Sequence, residues 1–161
     1  MKKIMITMLF LLNMHLIVSA QKQEDLAKFI ITEATSNGSD ISQWYFQRKQ
    51  FLIFYNNKEN NLCLANVSGI NDDQSYGRVY SLKSETMNET ETSYKADVFS
   101  FRWRYFNSYN SETGYATVSL TKIYKPAGVI FSIKMVLPNL DVLKIKGYME
   151  GTLNLNDYLN N

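Results

Sequence analysis

Four segments in the second half of the chain alternate apolar and polar residues with the period of a β-strand. In residues 94–105 the odd positions form an aromatic row that consists of Phe99, Phe101, Trp103 and Tyr105. The even positions of the same segment hold Val98, Ser100, Arg102 and Arg104. Because successive strand residues point to opposite faces, this pattern predicts one aromatic face and one largely polar, basic face.

Three more alternating segments follow, at residues 115–125, 129–137 and 142–149. The last two are introduced by short turns at residues 126–128 and 138–141, and each of these turns contains a proline. Consecutive strands with short connections indicate an antiparallel meander.

The first half of the chain contains four shorter runs with strand composition, at residues 41–47, 51–55, 61–67 and 76–83. Residues 85–92 are polar and are predicted to form a solvated loop. The total is about eight strands with turn signals roughly every eight to twelve residues, which predicts a mainly β fold, either a sandwich or a barrel. A barrel is favoured, because closure removes every exposed sheet edge.

One segment near the start has helical spacing instead. Its apolar residues have the three- and four-residue spacing of one helix face, and they are Leu26, Phe29, Ile30 and Ala34. Asn37-Gly38 then provides a signal that ends the helix. The sequence therefore predicts a short N-terminal helix within residues 21–37, packed against the edge or the open end of the sheet.

The first twenty residues have the pattern of a cleaved signal peptide. Lys2 and Lys3 precede an apolar run at residues 4–18. Val18-Ser19-Ala20 then places small residues at the last and third-last positions before cleavage, where a signal peptidase reads them. The apolar run is shorter than the ~20 residues of a bilayer span. We therefore expect cleavage before Gln21, a single β-rich domain at residues 21–161, and export of a bacterial protein to the periplasm or the cell exterior without a transmembrane anchor.

Cleavage would change the chemistry available to the mature chain. His15 is the single histidine of the sequence, so its loss removes histidine-dependent triads, cysteine–histidine pairs and histidine metal sites. The loss of Lys2 and Lys3 leaves fifteen basic and fifteen acidic residues, and a balanced charge argues against a nucleic-acid partner. We expect no cofactor and no metal.

The remaining reactive groups favour structural roles. Cys63 lies between two leucines in a predicted strand, so a buried side chain is favoured over a reactive thiol. The acidic residues cluster in predicted loops, where solvated charge is favoured over a catalytic pair, at Asp72, Asp73, Glu85, Glu89 and Glu91. The segment at residues 71–73 lacks the acidic spacing of a calcium loop.

Two features remain as candidate binding chemistry: the aromatic row and the arginines beside it. The candidate ligand-binding residues are Phe99, Phe101, Trp103, Tyr105, Tyr124, Phe131, Arg102 and Arg104. An ordinary packed core is favoured over an aromatic cavity, and arginines that face solvent and pair with glutamates are favoured over arginines that line an interior.

These observations favour an exported, non-enzymatic domain that binds a small apolar or amphipathic molecule. The alternative is a protein-interaction or assembly module of the cell envelope, which would bind an envelope protein through a sheet edge or a tyrosine-rich face. A hydrolase with two catalytic carboxylates is the third hypothesis.

Overall fold

The computed structural model describes residues 24–70 and 73–159, and these form nine strands with two short helical segments. The predicted signal peptide lies outside the described residues. The strands are β1 (Glu24–Ser36), β2 (Ser39–Asp40), β3 (Phe51–Asn56), β4 (Leu62–Val67), β5 (Gln74–Met87), β6 (Ala96–Asn107), β7 (Glu112–Lys125), β8 (Gly128–Val136) and β9 (Val142–Gly151). Helix α1 (Ser42–Gln47) precedes β3, and a 3₁₀ turn (Leu155–Tyr158) follows β9.

Eight of the strands close into an antiparallel barrel. β1 pairs with β3, each strand from β3 to β8 pairs with the next one in sequence, and β9 pairs back with β1. The two-residue strand β2 pairs with the end of β1 in a tight hairpin and is not one of the eight barrel strands. The predicted antiparallel barrel is therefore confirmed, and the pairing of β1 with β9 is what distinguishes it from a sandwich.

The helix predicted within residues 21–37 is wrong for the part that the structure describes, because residues 24–36 form strand β1. Its buried side chains are Ala27, Phe29 and Ile31 at a spacing of two, and then Ala34. The pairing of β1 with β9 shifts register between Ile31 and Glu33. A bulge of this kind adds one residue to the strand, so the positions that face inward shift by one after it. The apolar residues before and after the bulge are therefore spaced as they would be on one face of a helix.

Residues 41–47, predicted as a strand, instead contain helix α1. Asp40 lies two residues before the first helical residue, and its Oδ1 accepts hydrogen bonds from the Ser42 backbone N–H at 2.8 Å and from the Ser42 hydroxyl at 2.6 Å. The Ser42 oxygen in turn accepts from the buried Ala34 N–H at 3.0 Å, which ties the helix to β1. The aromatic residues of this segment suggested a strand, but Tyr45 alone of the three enters the core.

The barrel interior is filled by apolar side chains from all eight barrel strands. The largest fully buried ones are Phe29, Phe54, Leu52, Leu64, Leu120, Ile133, Ile145 and Val118. Phe101 packs edge to face against Phe54, with ring centroids 6.4 Å apart. The predicted packing of the aromatic face into the core is confirmed for Phe99, Phe101 and Trp103, which are all buried.

Cys63 is buried as predicted, but on the outer face of the barrel rather than the inner one. It forms a small cluster with Tyr55 and Ala65 on β3 and β4, separate from the main core. Burial raises the pKa of the Cys63 thiol, so the thiolate form is disfavoured.

The C-terminal segment closes one end of the barrel. Leu155 is buried, and the Tyr158 hydroxyl donates a hydrogen bond to Asn56 Oδ1 at 3.0 Å, as expected for a tail that packs down.

Among the described residues, no helix is long and apolar enough to cross a bilayer.

Candidate functional site

The inward-facing rows of the barrel change from apolar to polar at the end where α1 lies. In β3 and β4 the inward positions include the buried Leu52 and Leu64. One step further along these rows come Gln50 and Asn66, which are only partly buried. Because strand residues two apart share a face, both amide side chains point toward the barrel axis at its mouth.

The polar band continues around the mouth through β5 and β6. Ser75 pairs directly with Asn66, and Asn107 pairs directly with Ser75. Residues that are directly opposite on neighbouring strands have Cβ atoms about 4.5–5.5 Å apart, so these three side chains stand side by side. Together with Gln50 they form the polar wall, the name used below for Gln50, Asn66, Ser75 and Asn107.

The polar wall lines a cavity with a volume of about 440 Å³. Its remaining lining residues form a rim contributed by α1 and by the connections at this end, and they are Trp44, Arg48, Ser68, Asp73, Gln74 and Tyr109. The volume falls within the range of roughly 300–1,000 Å³ that is typical of small-molecule sites.

Two acceptors in the polar wall have no hydrogen-bond partner among the described residues. Gln50 Oε1 and Asn66 Oδ1 are both buried from solvent and unpaired. An unsatisfied buried polar group costs about 1–3 kcal/mol, so such groups are rare unless something else compensates. A half-turn of either side-chain amide exchanges its oxygen for its nitrogen, so each can offer a donor or an acceptor to the cavity.

The rim is held in place by contacts between α1 and the connection from β4 to β5. The Arg48 carbonyl accepts hydrogen bonds from the Ser68 hydroxyl at 3.2 Å and from the Gly69 N–H at 3.0 Å. The Arg48 guanidinium lies over the Trp44 ring, 4.2 Å from its centroid. Arg48 and Asp73 carry opposite charges, so the described lining has no net formal charge.

The structure separates the eight predicted ligand-binding residues into several places. Phe101 and Trp103 lie in the packed core, and the Trp103 indole N–H donates to the Leu64 carbonyl at 3.0 Å. Tyr105 is half-buried next to Trp103, with ring centroids 4.7 Å apart. None of these three lines the 440 Å³ cavity.

The two arginines of the predicted set lie on the outside of the barrel. Arg102 and Arg104 are both exposed, which confirms that they face solvent. Arg104 lies over the Tyr115 ring, 5.9 Å from its centroid. The expected pairing with glutamates is not found, since the one salt bridge in the described part of the chain joins Lys146 to Glu33 at 2.8 Å.

Phe99, Tyr124 and Phe131, the other three of the set, line a second cavity at the opposite end, next to the C-terminal turn. Its volume is about 130 Å³, well below the ~300 Å³ at which ligand pockets usually begin. The eight side chains thus form no common site. Their role in ligand binding stays a prediction.

Asp97 borders this second cavity and gives a pH-dependent prediction. Its carboxylate accepts from the Tyr124 hydroxyl at 2.6 Å and from the Thr86 hydroxyl at 2.8 Å. The Tyr124 hydrogen bond is the main reason why the pKa of Asp97 lies below its ordinary value of 3.8. The resulting stabilisation is complete above that value and is lost as the pH falls through the lower folded-state pKa.

We therefore expect Tyr124→Phe to raise the pKa of Asp97 toward 3.8, as measured by NMR titration of the side-chain carboxyl. The difference in unfolding free energy between wild type and variant should shrink as the solution is acidified through this region. An unchanged Asp97 pKa in the variant would contradict the assignment.

The polar wall was not predicted from the sequence. Gln50 lies just before the predicted strand at residues 51–55, and Asn66 lies within the predicted strand at residues 61–67. The alternation of the strands could have identified these two residues. Gln50 and Asn66 are each two positions from a buried leucine, Leu52 or Leu64, and so belong to the same inward-facing rows. Asn107 likewise continues the aromatic row of β6 two residues beyond Tyr105.

Of the acidic residues predicted to lie in loops, the structure places Asp73 at the cavity of about 440 Å³. Asp73 is the one carboxylate among the described residues that line the large cavity, and Asp72 lies outside the described residues. Glu85 belongs to β5, so the predicted loop at residues 85–92 begins later, after Met87. The reason is that Thr86 and Met87 still pair with the start of β6. Across the residues described, no three side chains are grouped to hold a metal ion.

No protein-family model matches the chain, and comparisons with curated proteins and with solved structures also give no match. The geometry of the barrel and of its mouth therefore carries the functional proposal.

Proposed function

We propose that this protein is a non-enzymatic binding domain that holds an amphipathic small molecule in the mouth of its barrel. One observation carries the proposal: the inward rows turn from apolar to polar where they surround a cavity of about 440 Å³. A small antiparallel barrel with an open, lined mouth is a common arrangement for ligand binding.

The side chains around the cavity suggest how such a molecule would be held. The polar wall offers amide and hydroxyl groups, and the unpaired acceptors of Gln50 and Asn66 have hydrogen-bonding capacity that the protein does not use. At the rim, Trp44 and Tyr109 expose 45% and 80% of their surface, so a flat apolar ring could stack there. A ligand with both an apolar ring and hydroxyl or amide groups would match both parts of the site.

Export is the second part of the proposal. The pattern of residues 1–20 supports a signal peptide, which would deliver the domain to the periplasm or the cell exterior. The mass of the protein secreted by a bacterial host tests this directly, because cleavage before Gln21 gives a defined mature mass.

Ligand binding is tested with the amphipathic dye anilinonaphthalene sulfonate, whose fluorescence rises on burial. We expect the folded protein to bind the dye, and Trp44→Ala to weaken binding about tenfold, which corresponds to ~1.4 kcal/mol of lost ring contact. The matched control is Phe46→Ala, because Phe46 is on the same helix and 42% exposed but does not line the cavity. Its dye affinity should change less than about twofold.

Two results would contradict this site. If Trp44→Ala and Phe46→Ala weakened dye binding equally, the contact would belong to α1 in general and not to the cavity. If both left it unchanged while Tyr124→Ala abolished it, the ligand would occupy the second cavity at the other end of the barrel.

A further inference from the structure

The outer face of the barrel carries an unusual combination of side chains across β3 to β6. One cross-strand row consists of Ile53, Ala65, Tyr76 and Phe106 in direct register. All four are apolar or aromatic, although outward positions of a barrel in water are usually polar. Tyr76 and Phe106 are in edge-to-face contact, with centroids 5.8 Å apart.

This apolar row borders a shallow groove of about 210 Å³. Ile53, Val67 and Tyr76 line it, and Tyr76 exposes 39% of its surface. A surface groove lined in part by contiguous apolar side chains is a feature of surfaces that contact other proteins. The groove opens on the outer face of the barrel, and Gln74 lines both this groove and the cavity at the mouth.

Arginines lie directly beside the groove. Arg78 and Arg104 are directly opposite each other on β5 and β6, and Arg102 is opposite Tyr80 one step further along. Three of the four arginines in the chain are therefore on one exposed face. Like charges directly opposite across two strands are unfavourable, and none of these arginines has an ion pair among the described residues.

We propose that this outer face binds an acidic peptide segment of a partner protein. Arginine, tyrosine and phenylalanine are the residue types enriched at the centres of protein interfaces. A carboxylate between Arg78 and Arg104 relieves their repulsion and accepts paired hydrogen bonds from a guanidinium. The apolar row then contacts the apolar side chains of the same segment. The partner is thus a chain that combines acidic and apolar residues.

The test uses a synthetic peptide that alternates glutamate with leucine and phenylalanine, labelled for fluorescence anisotropy. A second peptide with lysine in place of glutamate is the peptide control. We expect the acidic peptide to bind and the basic one not to bind. Arg78→Gln/Arg104→Gln should weaken binding by about tenfold or more, and added salt should weaken binding to the wild type.

The chain offers a matched control for charge. Lys134 and Lys144 are also directly opposite each other, on β8 and β9, and both are exposed. The double variant Lys134→Gln/Lys144→Gln removes the same charge from another face, and its affinity should stay within about twofold of wild type. Circular dichroism checks that each double variant keeps its β structure.

Three outcomes would overturn the proposal. Equal weakening by the two double variants would show attraction to net charge alone. No binding of the acidic peptide to the wild type would remove the site. A wild-type dimer in sedimentation, lost in Arg78→Gln/Arg104→Gln, would make the occupant a second copy of this chain. Dye binding at the mouth is unaffected by each of these results, so the proposed function is tested separately.

Discussion

Replacing Trp103 with alanine is expected to lower the free energy of unfolding by about 3–5 kcal/mol, the largest effect of any side chain in the aromatic row. The Trp103 side chain is 3% exposed and belongs to the main core. Alanine removes most of its apolar area and leaves a cavity, because the surrounding strands are fixed by the closed ladder.

Trp103 also bonds to the backbone of a strand that is distant in sequence. Its Nε1–H donates to the Leu64 carbonyl at 3.0 Å in a buried environment. Trp103→Phe keeps most of the ring volume but loses this hydrogen bond, so we expect it to cost less than the alanine variant, about 1–3 kcal/mol. Urea denaturation of both variants separates the contribution of ring volume from that of the hydrogen bond.

Arg102→Ala is the control for this series, because Arg102 is adjacent in the strand but exposed on the outer face. Its effect should stay within about 0.5 kcal/mol. A loss for Arg102→Ala as large as that for Trp103→Ala would mean that the inward and outward faces of β6 are assigned the wrong way round.

Gly147→Ala is expected to destabilise the barrel by about 3 kcal/mol, at the upper end of the cost of inserting a methyl group into packed structure. Gly147 lies in β9 and pairs with Ile31 of β1, at the pairing that closes the barrel. A Cβ atom at this position would stand 1.9 Å from the Ile30 carbonyl oxygen and 2.9 Å from the ring of the fully buried Phe29. Backbone atoms cannot rotate away, so β1 and β9 must separate.

The measurement is thermal and urea unfolding, with hydrogen exchange of the β1 and β9 amides. Exchange should accelerate first at these two strands, because the strain acts at their junction. Lys144→Ala, an exposed position in the same strand, should stay within about 0.5 kcal/mol of wild type. Equal stability of Gly147→Ala and wild type would contradict the close approach of β9 to β1.

The strands of the second half could be predicted because their signal is local. The alternation in residues 94–105 reflects a backbone that places successive side chains on opposite faces, whatever the partner strand is. Phe101, Trp103, Arg102 and Arg104 were accordingly assigned to the correct faces. Pairing makes some strands longer than their local pattern predicted. Strand β5 extends to Met87, for example, because Met87 pairs with Ala96 of β6.

The first strand and the first helix could not be assigned from local spacing. The bulge after Ile31 shifts the inward phase, so Phe29 and Ala34 have a spacing that also fits a helix. Only the pairing of β1 with both β3 and β9 selects the strand. Residues 42–47 show the reverse case, since a segment rich in aromatic residues forms a helix that Ser42 ties to β1 through its hydrogen bond with the Ala34 N–H.

The class of the fold, the alternation of most strands and the inward direction of the aromatic row follow from local sequence patterns, because they depend on residues close together in the chain. Closure of the barrel and the position of the site were decided only by tertiary structure. Asn107 is far from Asn66 and Ser75 in sequence, and the register of β4, β5 and β6 brings all three to one wall. Register depends on long-range pairing, and a shift of one residue would turn each of these side chains to the opposite face.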